Sequence, residues 1–200
     1  MRFDEITLTG RHVRLEPVSI HHAEGLRRAV SDGELWKLFV TLVPHADAIA
    51  SYIEDARLLQ QSGDGLTFAI IDQVSGLVVG STRFTKADLA YKRVGIGHTF
   101  VAKTYQRTGI NTDAKFLMLQ YAFEALHLNR VELIADYLNT RSRRAIERIG
   151  AKQEGILRNH MVMPDGRVRD SVVFSIIKNE WPGVRQSLEH KLEMELPVVF

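Results

Sequence analysis

Two short stretches of this chain hold side chains whose types and spacing suit ligand chemistry. The first is Gln106-Arg107-Thr108-Gly109-Ile110-Asn111-Thr112, a run of hydrogen-bonding groups with one cation and one glycine. The residues before it, Ile96 to Ala102, are branched and aromatic and read as a buried strand. After it, Ala114, Leu117, Met118, Tyr121, Ala122 and Ala125 recur at steps of three and four, forming one apolar helix stripe. The order is strand, tight loop, helix. A helix N-terminus leaves N–H groups unpaired and carries partial positive charge, so a loop that wraps an anion there makes a phosphate site. Gly109 lets backbone approach a ligand closely and Arg107 adds charge. Asn111 or Thr112 is expected to cap the helix, with Asp113 placing negative charge in its first turn.

The second stretch is Leu138 to Ala151, where Asn139 and Ser142 stand one helical turn apart. Asparagine caps helices well, and its amide is equally suited to binding a ligand chain. The Ser142 hydroxyl can donate a proton to a reacting group or bond back to its own helix. Arg141, Arg143, Arg144 and Arg148 form a basic run, which reads either as a solvated face or as a partner for a phosphate. Candidate proton acceptors elsewhere are His98, Asp136 and Glu16. His98 has the ordinary histidine pKa range but sits in a strand, where it can equally be a bonded core group. Asp136 closes a strand and can equally fix the turn that follows.

These residues need a scaffold. His12 to Pro17 reads as a first strand, and Ser19 caps a helix over Ile20 to Val30. Ser31 to Phe39 suggests a short second helical piece. Asp47 to Gln61 follows as a helix with Ile49, Ile53 and Leu58 near one face. Leu66 to Ile71 and Leu77 to Phe84 form a hairpin, and Gly95 and Gly97 suggest a bulge or a close approach in the next strand. Arg130 to Ala135 is a strand, and Thr140 to Ile149 a helix stopped by Gly150. Lys152 to Met163 and Val168 to Ile177 pair across Pro164-Asp165-Gly166. Glu180 to Glu193 is a closing helix. Helices and strands mix without regular alternation, which indicates α+β with a mixed sheet.

The chain has 200 residues, 45% apolar and 25% charged, with a net charge of +2, which fits one globular domain over residues 1–200. Near-zero net charge argues against a dedicated nucleic-acid binder. No long apolar run suggests a signal peptide or a membrane span, so a cytoplasmic protein without a membrane partner is expected. There is no cysteine, so a thiolate nucleophile or acyl-cysteine intermediate is impossible. The apolar tail Leu196 to Phe200 is expected to pack on its own domain or on a second copy as a homodimer.

The loop Gln106 to Asn111 resembles the Q/R-x-x-G-x-G/A loop of the Gcn5-related N-acetyltransferase superfamily, with Asn111 where glycine or alanine is usual. Leu138 to Ala151 is similar to a segment of its ribosomal-protein N-terminal acetyltransferase branch. The two blocks stand in that family's order with a strand-like segment between them. The likeness runs over roughly residues 9–177, leaving a closing helix and tail at 178–200. It implies one domain with a central mixed, mostly antiparallel twisted sheet, splayed at the strand before the loop, and helices on both faces.

It also implies acetyl-coenzyme A as co-substrate, a primary amine as acceptor, and no metal. The amides of Gln106, Arg107, Thr108, Gly109, Ile110, Asn111 and Thr112 would hold the pyrophosphate, and an N–H near Phe100 or Val101 would polarise the thioester. Asn139 would bond the pantetheine arm, and Ser142 would lie near the sulfur as the acid. Many relatives place a tyrosine at the position of Ile146 and a glutamate near Gly95, so this chain lacks both. His98, Asp136, Glu16 and water stay open as routes for the amine proton. The implied function is acetyl transfer to a protein N-terminus or a small amine by direct attack in a ternary complex. A coenzyme-A-binding module without efficient chemistry, a transferase for a longer acyl group such as succinyl, and a nucleic-acid binder using the arginine run are the other readings.

Overall fold

The computed structural model describes residues 6–88 and 90–194. Alternation of buried and half-exposed residues in Val13–Pro17 (β2) puts Val13 and Leu15 on one face, and that face becomes the main core. Strands Leu8–Thr9 (β1), β2, Leu66–Asp72 (β3), Val78–Asp88 (β4) and Arg93–Val101 (β5) follow one another as antiparallel neighbours. Arg130–Asp136 (β6) then lies parallel to β5, and Lys152–Val162 (β7) and Val168–Ile177 (β8) complete one sheet of order β1-β2-β3-β4-β5-β6-β8-β7. Helices Gly109–Gln120 (α3), Thr140–Arg148 (α4) and Trp181–Met194 (α5) contribute to the core on one face. Ala23–Ser31 (α1) and Ile49–Ser62 (α2) form a second cluster with Phe100 and Ala102 on the other. The architecture is α+β with helices on both faces, as expected. Among the described residues no helix is long and apolar enough to cross a membrane.

The sheet is splayed where the sequence places it, although by a different residue. Parallel pairing of β5 with β6 runs from Arg93↔Arg130 to Ile96↔Leu133 and ends there. Beyond it β6 continues to Asp136 against β8, while Gly97–Val101 keeps β4 alone. Against β4, Gly97 sits opposite Arg83 but Phe100 sits opposite Ser81, so β5 carries one surplus residue. That surplus falls at His98–Thr99, and His98 adopts φ +49°. Gly95 and Gly97 are not its cause. Gly95 instead allows a close approach, since a Cβ there would stand 2.7 Å from Thr85 Oγ1, and Gly80 does the same on β4, where a Cβ would stand 2.2 Å from the Phe100 carbonyl oxygen.

Several local expectations shift. Helix α3 begins at Gly109 with Thr108 as its cap, Oγ1 accepting from the Ile110 N–H at 3.4 Å, so neither Asn111 nor Thr112 caps it. Asp113 therefore lies in the second turn, where it is 1% exposed. Its carboxylate accepts from the backbone N–H groups of His12 at 2.7 Å and Val13 at 3.0 Å, tying α3 to the start of β2. Leu58 is exposed, and Ala56 takes the third buried place on α2. Ser31 to Phe39 yields one short turn of 3-10 helix, Leu35–Lys37, after a left-handed Glu34. Gly150 ends α4 in the left-handed region at φ +94°, as its sequence position suggests. The tail Leu196 to Phe200, and with it the homodimer expectation, lies outside the described residues.

Replacing Asp113 by alanine leaves two backbone donors without their buried carboxylate. Asp113→Ala is expected to lower unfolding free energy by about 2–4 kcal/mol, read by chemical denaturation.

Candidate active site

The loop that precedes α3 is built to present donors. A short 3-10 turn, Lys103–Tyr105, ends with Gln106 extended, and Arg107 follows in the left-handed region at φ +65°. Such a reversal points successive N–H groups to one side, the geometry of an anion nest. Among the described residues the amides of Arg107 and Thr108 make no hydrogen bond. They join the first-turn amides of α3, of which Ile110 is taken by the Thr108 cap, and the dipole adds partial positive charge there. Arg107 and Thr108 are exposed, whereas Gly109 and Ile110 are buried against the sheet. Asn111 is half-buried, and Thr112 is buried with its hydroxyl accepting from Arg148 at 2.7 Å. Arg148 is thus tied to α3. Such a nest suits an anion.

The second block meets the first through one side chain. Gln106 donates from Nε2 to the Val101 carbonyl at 2.7 Å, and its Oε1 accepts from Arg141 on α4. The N-termini of α3 and α4 are thereby held on either side of the gap between β5 and β6. Asn139 caps α4, its Oδ1 accepting from the Ser142 N–H at 3.0 Å. Ser142 is half-buried and its hydroxyl makes no hydrogen bond among the described residues. Phe100 and Val101 turn their side chains into opposite cores, leaving backbone to border the gap. Arg143 stacks on Tyr137 at 5.0 Å and donates to its carbonyl at 3.2 Å.

The three candidate bases fare differently from one another. His98 crowns the bulge, where the crowding around its ring, and then the charges of Arg83, Arg169 and Lys86, push its pKa down to about 4. It is neutral near pH 7 yet a weak proton acceptor, although the residue as a whole keeps solvent contact. Asp136 is 1% exposed, accepts from Arg167 at 2.6 Å and from the Leu138 N–H at 2.9 Å, and lies 3.9 Å from Arg169. Its carboxylate fixes the turn after β6. Glu16 is bonded to Arg14 at 2.6 Å and His22 at 3.1 Å.

Two residues escape the sequence reading. Lys115 falls off the apolar stripe of α3 and would be read as exposed, yet it is 6% exposed. Its ammonium donates to Thr82 Oγ1 at 2.9 Å and Thr99 Oγ1 at 2.7 Å, and so pins the bulge from beneath. Burial lowers its pKa from 10.5 to about 7. Arg83 alternates with Thr82 and Phe84 on β4 and therefore points to the α2 face, where its guanidinium lies 5.2 Å above the Tyr52 ring. A charge between Thr82 and Phe84, two residues that are both buried, was the available signal for it.

Comparison with known proteins follows the same lines. The acetyltransferase (GNAT) domain family matches residues 12–152. A Bacillus subtilis (strain 168) protein with the provisional name ribosomal N-acetyltransferase YdaF is 36% identical over 108 residues, 54% of this chain and 58% of that one. A crystal structure of a GCN5-related N-acetyltransferase from Brucella melitensis superposes with a TM-score of 0.85 at 34% identity, covering 96% of this chain and 87% of that one. Mycobacterium smegmatis RimJ, solved with CoA-disulfide, shares the fold at a TM-score of 0.80 and 24% identity, over 94% of this chain and 95% of that one.

Two outcomes follow. Between pH 7 and 10.5 the unfolded chain holds the Lys115 proton that the folded chain releases, so wild-type stability rises through this window. Lys115→Met should therefore be more stable than wild type at pH 6, with the margin narrowing towards pH 10 in thermal melts. Gly109→Val puts a branched side chain at the buried mouth of the nest. It should raise the Kd for coenzyme A by about tenfold or more, or about 1.4 kcal/mol, in calorimetry.

Proposed function

The chain belongs to the acetyltransferase (GNAT) domain family, whose general reaction is acetyl transfer from acetyl-coenzyme A, and we propose that it acetylates a primary amine in the cytoplasm by direct attack in a ternary complex. The observation that carries this reading is the convergence of the α3 nest and the α4 N-terminus on the gap between β5 and β6, joined through Gln106 and Arg141. The nest, Gln106 to Thr112, holds the pyrophosphate. The pantetheine arm enters the gap beside Asn139, and backbone near Phe100 or Val101 polarises the thioester carbonyl. The acceptor approaches from the α2 face, where a Cβ built at Gly97 meets nothing within 4 Å.

In the reaction the amine nitrogen bonds the carbonyl carbon, the carbon–sulfur bond breaks, and two proton transfers complete it. The nitrogen must arrive neutral. The cations that keep His98 uncharged act equally against an ammonium, so they favour the free amine, and water carries its proton away. The leaving thiolate takes a proton from Ser142, since Ile146 cannot supply one. The name ribosomal N-acetyltransferase carried by one relative supports a protein N-terminus as the acceptor.

Thiol release from acetyl-coenzyme A against a panel of amines and N-terminal peptides tests the reading. Release with no acceptor above the background rate would sink it. Ser142→Ala is expected to lower kcat by about 10- to 100-fold while moving KM for acetyl-coenzyme A little. Wild-type turnover in that variant gives the acid role to water.

A further inference from the structure

The acceptor side of the gap gathers four cations from β4, β8 and the turn before β8. Arg83 comes from β4 and Lys86 from the irregular pairing near its end, with φ +50°. Arg169 comes from β8, and Arg167 from the turn before it. Arg83, Arg169 and Lys86 all lie close enough to His98 for their charges to act on its ring. Among the described residues the carboxylate within ion-pair distance of any of the four is Asp136, which meets Arg167 at 2.6 Å and Arg169 at 3.9 Å.

The environment of Arg83 distinguishes this group from a neutralised network. Its guanidinium has no carboxylate partner among the described residues, and its buried Nε has no acceptor. Buried guanidinium donors are normally bonded. The side chain is nonetheless held in place. Tyr52 lies beneath it at 5.2 Å, the Tyr52 hydroxyl bonds Ser81 at 2.7 Å, and Ser81 donates to the Phe68 carbonyl at 2.7 Å. Arg169 is 8% exposed, with Nε donating to Ser171 at 3.0 Å. Arg167 donates to the Phe39 carbonyl at 3.0 Å and lies 5.6 Å from the Phe39 ring, so the loop between α1 and α2 roofs this end of the groove. The result is a preformed cationic cradle on the acceptor face of the bulge.

We infer that the amine acceptor carries a carboxylate, and that Arg83, with Arg169 beside it, binds that carboxylate next to His98. A planar, fixed guanidinium is suited to a carboxylate, which it can meet through two parallel hydrogen bonds. The bound anion would satisfy the orphan Nε and offset the positive charge that Arg83, Lys86 and Arg169 place around His98. It would also orient the acceptor, with its acidic end held at Arg83 and its amine left to reach the thioester gap. This inference rests on the amine-acetylating reading above and narrows its substrate to an anionic amine.

The test uses acceptor pairs that differ in one carboxylate. One pair is a short peptide with aspartate or asparagine after an N-terminal serine. The other is a small amino acid and its amide. Binding of each is measured by calorimetry to the full chain saturated with coenzyme A, and thiol release is measured separately with acetyl-coenzyme A. The acid member of at least one pair should bind about tenfold or more tightly than its amide partner, a difference of about 1.4 kcal/mol. The pair that shows the preference identifies whether the carboxylate belongs to a peptide or to a small molecule. Arg83→Gln should abolish the preference with coenzyme A affinity unchanged, and Arg83→Lys should retain part of it. Equal binding of acid and amide in both pairs, or a preference that survives Arg83→Gln, overturns the inference. An acid preference without thiol release keeps the cradle and removes the transferase reading; thiol release that ignores the carboxylate does the reverse.

Discussion

One surplus residue in β5 governs the molecule. A regular strand would have continued its parallel ladder with β6 beyond Ile96 and closed the sheet. The bulge at His98–Thr99 turns β5 away while β6 runs straight on against β8, and the gap is the space between them. The bulge is clamped from both faces. Below it, the Lys115 ammonium bonds Thr82 and Thr99, whose hydroxyls also lie 2.8 Å apart. Above it, Phe100 packs into the α1–α2 cluster against Tyr52. An uncompensated lysine in this position costs stability below pH 7, because burial opposes its charge. The fold tolerates that cost in a place where the strand must not straighten.

The two ends of the gap carry positive potential made in different ways. At the coenzyme end it comes chiefly from backbone: a left-handed Arg107 and the open first turn of α3 aim amides at one point. At the acceptor end it comes from side chains, Arg83, Lys86, Arg167 and Arg169, drawn from distant parts of the sequence. Backbone amides suit the pyrophosphate because their geometry is fixed and they lose no side-chain entropy on binding. Burial of the His98 ring, with that second field added to it, is why a histidine that looks like a base in sequence is a poor proton acceptor in the fold.

The strand-loop-helix unit was legible because it is local. Strand, loop and helix lie consecutively, and Asn139 and Ser142 share one helical turn, so short-range patterns were enough to place the loop before α3 and the α4 cap. The misplaced cap shows the limit of that reading. Thr108, Asn111 and Thr112 are all chemically able to cap α3, and Thr108 serves because Thr112 is buried against Arg148 and Asp113 is committed to the turn before β2. Gly95 and Gly97 suggested a bulge in the right strand but not its position, which depends on how β4 registers against β5.

Sequence alone determined the α+β class, the strand-loop-helix unit around Gly109, the Asn139 cap and the absence of a cysteine nucleophile, because each depends on composition or on neighbours within a few residues. Tertiary structure alone decided that Lys115 is buried, that Asp136 is locked to Arg167, and that Arg83 comes to lie beside His98 near Arg169. Those relations join β4, β5, β6, α3 and β8, segments far apart in the chain. Burial, pairing and the pKa values that follow are properties of what the fold brings together, and no periodicity along one strand or helix encodes them.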